Sequence, residues 1–327
     1  MKKRDLLSLN DLSREEIEKI FSLSQRLKRA QKSGRAHRLL AGKTLALVFE
    51  KPSLRTRVSF ETGIFQLGGN AVFLGPGEIQ LGVRESAADS ARNLSRWVDL
   101  IVMRTFSQHT LEEMAAHATI PVINGLTDLF HPCQVLADCL TLLEHKGALK
   151  GLKIAFLGDG NNMVHTWMQA AQKFSFSFVL ACPKGYEPNA EIARAAKEKG
   201  GRVSVTHEIE KAVRDADVVY TDVWTSMGQE REFEKRRRAF HGYQLNQAVV
   251  AKAKRDAVVM HCLPAHRGEE ITHEVLESPQ CVAFDQAENR LHAQKAVMVW
   301  LLRGFAPTVG KRKALRKKLG SRGFKKT

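Results

Sequence analysis

Short apolar runs alternate with longer stretches of helical spacing along most of this chain. The run at 44–49, Thr-Leu-Ala-Leu-Val-Phe, reads as a buried strand. After it Phe60, Ile64 and Leu67 recur at helical spacing, and Gly68-Gly69 stops the helix. Further strands are predicted at 70–74, 100–104 and 121–124, with helices over about 87–97 and from His131 to about His145. Residues 147–151 supply a domain boundary. Beyond it, strands are predicted at 153–158, 176–181, 202–206, 218–222, 257–261 and 282–285, separated by helical stretches, one of them over about 163–174. A first helix is expected over 5–32, where Ser13-x-x-Glu16 forms a capping box. A closing helix is expected over about 290–303. Strand–helix alternation of this kind builds parallel sheets. The expected fold is therefore α/β, with two doubly wound parallel-sheet domains and a cleft between them. Residues 1–147 would form the first and 148–289 the second, with a closing helix within 290–310 packing back on the first.

Composition narrows the class. A chain of 327 residues is long for one domain and comfortable for two. Its 43% hydrophobic and 26% charged content is ordinary for a globular protein. No apolar run approaches the ~20 residues that span a bilayer. The basic start, Met1-Lys2-Lys3-Arg4, lacks an apolar segment behind it, and Glu15, Glu16 and Glu18 argue against a transit peptide. A cytoplasmic protein without a membrane partner is expected. Five cysteines, an odd number at spacings that match no zinc pattern, point to free thiols in a reducing compartment and to no metal. The net charge of +16 invites a nucleic-acid reading. Residues 311–327, however, carry nine lysines and arginines and no acid, so more than half of the excess sits in a terminal basic tail. The remainder suits an enzyme of anionic substrates, and nucleic acid is not the expected partner.

Candidate chemistry concentrates at strand ends. Pro52-Ser53-Leu54-Arg55-Thr56-Arg57 sits on a strand-to-helix turn. A helix start offers unpaired N–H groups and the positive end of the dipole. Ser53 and Thr56 add hydroxyls, and Arg55 adds a planar charged fork that matches phosphate oxygens. Spacing alone leaves two readings open, a phosphate site or an N-cap followed by solvated arginines. Arg104 ends a strand, where open α/β sheets bind ligands. His131, before Pro132-Cys133-Gln134 on a helix start, could donate to a carbonyl oxygen. Gly158-x-Gly160 suggests a dinucleotide loop, but Met163 occupies the third glycine position and no acid ends the next strand. Asn162 on that loop could instead bond a carboxylate. Asp222 at a strand end could pair with an α-ammonium group.

Four motifs in this order resemble the ornithine carbamoyltransferases: Phe49-x-Lys51-x-Ser53-x-Arg55-Thr56-Arg57, His131-Pro132-Cys133-Gln134, Asp222 with Ser226-Met227-Gly228, and His261-Cys262-Leu263-Pro264. The resemblance covers essentially the whole chain. It implies a carbamoyl phosphate site at Ser53, Leu54, Arg55, Thr56, Gln80, Arg104, His131, Pro132, Cys133, Gln134, Cys262, Leu263 and Arg290. It implies an ornithine site at Asn162, Asp222, Ser226 and Met227. Arg55, Arg104, His131 and Cys262 would be catalytic, with no cofactor, in a homotrimer or a multiple of one. Leu54 departs from the family's usual threonine, removing a hydroxyl but keeping the backbone N–H. Carbamoyltransferases for putrescine, an acylated ornithine or aspartate are the rival acceptors within the group.

Overall fold

The computed structural model describes residues 3–305 except 82, 83 and 227, so Met227 and the basic tail at 311–327 lie outside the described residues. Strands β1 (Thr44–Phe49), β2 (Asn70–Leu74), β3 (Leu100–Arg104) and β4 (Val122–Leu126) form one parallel sheet in the order β2-β1-β3-β4. Strands β5 (Lys153–Leu157), β6 (Ser177–Ala181), β7 (Arg202–Thr206), β8 (Val218–Thr221) and β9 (Val258–His261) form a second in the order β7-β6-β5-β8-β9, also parallel throughout. The expected α/β class with two doubly wound parallel sheets is what the chain adopts.

In each sheet the connections run to one side and then back past the first strand. The order reverses between β1 and β3 in the first sheet and between β5 and β8 in the second. Crevices at such switch points, beyond the carboxyl ends of the strands, are where open α/β sheets hold ligands. The turn at 50–53, Arg104, the loop 158–161 and Asp222 all occupy these ends.

Three elements differ from the sequence expectation. The first helix is Arg14–Lys32 rather than 5–32. Ser13 caps it, with the Glu16 carboxylate returning to the Ser13 N–H, so the capping box marks the true start. The strand expected at 282–285 does not form. Cys281 makes one isolated bridge to Val259, and the chain turns at once into the helix Ala283–Arg303, which begins seven residues earlier than expected. Its long buried face of Gln286, Asn289, Arg290, Ala293, Ala296 and Val297 overrides the local β-like pattern. That helix packs against Arg14–Lys32, Leu54–Gln66 and Pro132–Lys146. A helix at Gln108–His117 between β3 and β4 adds to those foreseen.

Gly160 has a packing reason rather than a nucleotide one. A Cβ there would stand 2.3 Å from the Pro188 nitrogen and 2.5 Å from the Glu187 carbonyl carbon, so only glycine fits under the 187–188 turn.

Candidate active site

Ser53 caps the helix Leu54–Gln66, and its Oγ accepts from the Thr56 N–H at 3.2 Å. The Arg57 N–H goes to the Ser53 carbonyl, which leaves the N–H groups of Leu54 and Arg55 as the open donors of the first turn. Leu54 itself is 73% exposed, so its side chain adds nothing to the crevice and its backbone is what remains there. Arg57 turns away: it pairs with Glu61 at 3.1 Å and lies 3.5 Å over the Phe73 ring.

Three guanidinium groups converge on this helix start. Arg104, at the end of β3 and 4% exposed, and Arg290 are buried, while Arg55 is half-buried. Each is held below its ordinary pKa, first by burial. For Arg104 the fields of Arg290 and Arg55 add to burial and bring it to about 9. Among the described residues none of the three is ion-paired to a carboxylate. Arg290 instead donates to neutral oxygens, Thr56 Oγ1 at 3.0 Å and Gln134 Oε1. The Nε atoms of Arg104 and Arg290 are buried without a partner among the described residues. Burying a cation without its counter-ion costs several kcal/mol. Three together make a site built for an anion.

His131 stands at the head of Pro132–Lys146, and its backbone N–H donates to Thr166 Oγ1 at 2.9 Å. Burial, with Arg290, Arg104 and Arg55 nearby, drives its pKa well below the ordinary value, so the ring is neutral at pH 7. Nδ1 is buried and unpartnered. A neutral ring in this field can donate to a carbonyl oxygen without adding a fourth cation. Cys133 faces inward. Its thiol meets the Asn124 carbonyl at 3.5 Å and burial pushes it up to about 12, so only its helix-start backbone belongs to the crevice.

The second half contributes a carboxylate and a thiol. Asp222, 8% exposed, accepts from the Val223 N–H at 2.8 Å, the Asn161 amide at 2.9 Å and the Cys262 thiol at 3.0 Å. Burial and Asp222 together hold the Cys262 thiol well above its ordinary pKa, so it is neither a thiolate nor a nucleophile. Its sulfur lone pairs are left to accept from an amine. Leu263 adopts φ 57° before a cis Pro264 and donates its N–H to His261 Nδ1 at 2.8 Å. Arg55 feels Cys262 and Asp222 across the crevice, which places the two halves of the set against one another.

The remaining predicted residues make other contacts. The Asn162 amide donates to the Thr127 carbonyl at 2.6 Å, while its neighbour Asn161 caps the helix Asn162–Phe174 and reaches Asp222. Sequence reading passed over Asn161, although N-cap preference was the signal available. Gln80 is exposed on its loop, and among the described residues its hydrogen bond is from the Arg84 N–H to its carbonyl. The Ser226 N–H donates to Gln229 Oε1 at 3.1 Å. Lys51 stands in the first motif but was not among the implied site residues. It is buried beside Asp128 and lies 4.1 Å over the Phe106 ring, on the same rim as Arg104.

Two family models match the two halves of the chain. The family described as "aspartate/ornithine carbamoyltransferase, carbamoyl-P binding domain" matches residues 4–144, and the "Asp/Orn binding domain" of the same family matches 150–301. The ornithine carbamoyltransferase of Pelobacter propionicus is 53% identical over 302 residues, 92% of this chain and 99% of that one. The chain belongs to the ornithine carbamoyltransferase family. It is accordingly a carbamoyltransferase. The enzyme of Thermococcus kodakarensis is 52% identical over 92% of this chain and 97% of its own. The solved ornithine carbamoyltransferase of Pyrococcus furiosus superposes with a TM-score of 0.89 at 51% identity, covering 93% of this chain and 98% of that one.

Proposed function

We propose that this chain forms citrulline and phosphate from L-ornithine and carbamoyl phosphate, with the residues above in defined roles. The three arginines without carboxylate partners carry this reading. The open N–H groups of Leu54 and Arg55, with Ser53, Thr56, Arg55 and Arg104, take the phosphate. His131, Arg104 and Arg290, the last oriented by Gln134, face the carbamoyl oxygen. Asp222 takes the α-ammonium group of ornithine, and Cys262 accepts from the side-chain amine. Gln80, Asn162, Ser226 and Met227 complete the reading as ligand contacts made on binding. No metal or cofactor is called for.

Attack requires a neutral amine, although such an amine is mostly protonated at neutral pH. The cationic wall of Arg55, Arg104 and Arg290 disfavours the ammonium form and lowers that pKa. The amine nitrogen bonds to the carbamoyl carbon, and charge gathers on the carbamoyl oxygen, where the arginines and His131 are already placed. The carbon–oxygen bond to phosphate then breaks. The arginines neutralise the leaving phosphate, which takes up the proton lost by the amine and departs as the hydrogen phosphate dianion.

We assign residues 1–147 with the packed-back closing helix to the carbamoyl phosphate half and 148–289 to the ornithine half, in a cytoplasmic enzyme of arginine metabolism. No described helix is long and apolar enough to cross a membrane. Self-association draws support from one edge of the first sheet. Leu54, Val58 and Phe65 lie on one helix face, 49–76% exposed, beside Val72 on the edge strand β2, 45% exposed. Large apolar side chains exposed together at a sheet edge, here with Glu61 between Val58 and Phe65, are costly to leave in water. A trimer, or a multiple of it, would cover them; a single-chain mass by light scattering would refute that. The reaction is tested by assaying carbamoylated product across ornithine, putrescine, N-acetylornithine and aspartate. Ornithine should be used with the highest kcat/KM by at least about 10²-fold, since a site built around polar groups rejects analogues lacking them strongly. Equal or better use of another acceptor overturns the assignment.

A further inference from the structure

Asp138 lies one helical turn after Gln134, fully buried. Its Oδ1 accepts from the side-chain amides of Gln134 at 2.8 Å and Gln286 at 2.7 Å, and its Oδ2 accepts from the Tyr220 hydroxyl at 3.0 Å. Lysine and arginine are absent from its hydrogen-bonding partners among the described residues. Burial outweighs these three bonds and raises its pKa to about 7. A buried carboxylate held only by neutral donors is expensive.

What a carboxylate supplies here is orientation. In its ionised form it only accepts, so both glutamine amides turn their NH2 groups toward it. That points both amide oxygens outward. Gln134 Oε1 then receives Arg290, on the anion side. Gln286 Oε1 receives the backbone N–H of His261, next to Cys262 on the amine side, at 3.1 Å. Tyr220 ties the same carboxylate to β8, two residues before Asp222, and its ring stacks on Phe156 at 5.1 Å. The connection thus runs from Arg290 through Gln134, Asp138 and Gln286 to the loop that carries Cys262.

We propose that Asp138 is a positioning residue that links the two ligand sites, aligning Gln134–Arg290 on one side and the His261–Cys262 loop on the other. The inference rests on the site roles proposed above.

The test is calorimetric titration of the full-length protein with L-norvaline, which lacks the side-chain amine, with and without saturating carbamoyl phosphate. Coupling between two sites is typically about 5–150-fold in affinity, and the wild type should fall in that range. Asp138→Ala should reduce the coupling to about twofold or less, while carbamoyl phosphate alone binds within about tenfold of wild type because Arg55, Arg104 and the helix start remain. Asp138→Asn keeps one oxygen able to serve both amides, so it should retain most of the coupling. Tyr220→Phe cuts the arm to β8 and the 2.9 Å bond that the Gln286 amide donates to the hydroxyl, while Gln286 and Gln134 keep their bonds to Asp138. It should weaken coupling without changing carbamoyl phosphate affinity, and it decides the matter if Asp138→Ala does not fold. Wild-type coupling in Asp138→Ala or Tyr220→Phe, no coupling in wild type, or Asp138→Asn no better than Asp138→Ala would each overturn the inference. Arg55→Ala in the same titration separates the two levels. If it leaves carbamoyl phosphate binding intact, the site reading fails. If it abolishes that binding while Asp138→Ala keeps the coupling, only the Asp138 inference fails.

Discussion

Replacing Arg55 with alanine should lower kcat by about 10²–10³, the usual cost of removing one preorganised donor at a site of developing charge. Arg55 is the half-buried arginine of the three, at the mouth of the crevice, and it makes no hydrogen bond to the described protein that would occupy it elsewhere. Arg290 is already engaged by Thr56 and Gln134, and Arg104 is fixed at the end of β3, so neither can move to replace it. Arg55 also faces Cys262 and Asp222 across the crevice, so its loss removes part of the field that keeps the attacking amine neutral. Two effects should therefore appear together. The KM for carbamoyl phosphate should rise, and kcat should fall even at saturating substrate. Steady-state citrulline formation with both substrates varied resolves them. A variant that kept near-normal kcat once saturated would show that Arg55 only binds and does not stabilise charge in the transition state.

How much of this site could be read from the chain depends on the scale of the cause. The phosphate loop was legible because its devices are local. A cap at Ser53, a helix start and two hydroxyls within four residues need no tertiary information. The strands were legible for the same reason, since runs such as 44–49 and 100–104 are short and almost wholly apolar. The start of the closing helix was not. Val282-Ala283-Phe284 reads as a strand, and only packing against three other helices shows why it coils. The amide choice at the ornithine loop was also out of reach in detail. Asn161 and Asn162 are adjacent and chemically identical, and only the register of the cap turns the first toward Asp222 and the second toward Thr127. Asp138 was invisible for a further reason. Its importance lies in contacts 82 and 148 residues away, to Tyr220 and Gln286, which no local spacing reveals.

Replacing Asp222 with asparagine should weaken ornithine use by about 2–5 kcal/mol while leaving carbamoyl phosphate binding close to wild type, the cost being that of breaking a desolvated charge pair. The carboxylate is 8% exposed and accepts three neutral donors, from Val223, Asn161 and Cys262, so among the described residues no directly bonded cation cancels its charge. An α-ammonium group would supply that cation. An amide at 222 has one acceptor oxygen for the same three donors, and its NH2 must face at least one of them. The Val223 N–H and the Cys262 thiol share Oδ1 while the Asn161 amide bonds Oδ2, so the substitution removes the charge and sets its NH2 against the Asn161 amide, leaving an oxygen for the thiol. Carbamoyl phosphate depends on the helix start at 53–56 and on Arg104, in the other sheet, so its affinity should be nearly unchanged. Putrescine has no α-ammonium and no carboxylate, so its weak use should fall far less than that of ornithine. Titrating both acceptors side by side with wild type and variant tests this. If the variant loses ornithine and putrescine equally, the effect lies in Cys262 and the attacking amine, and Asp222 does not read the α-amino group.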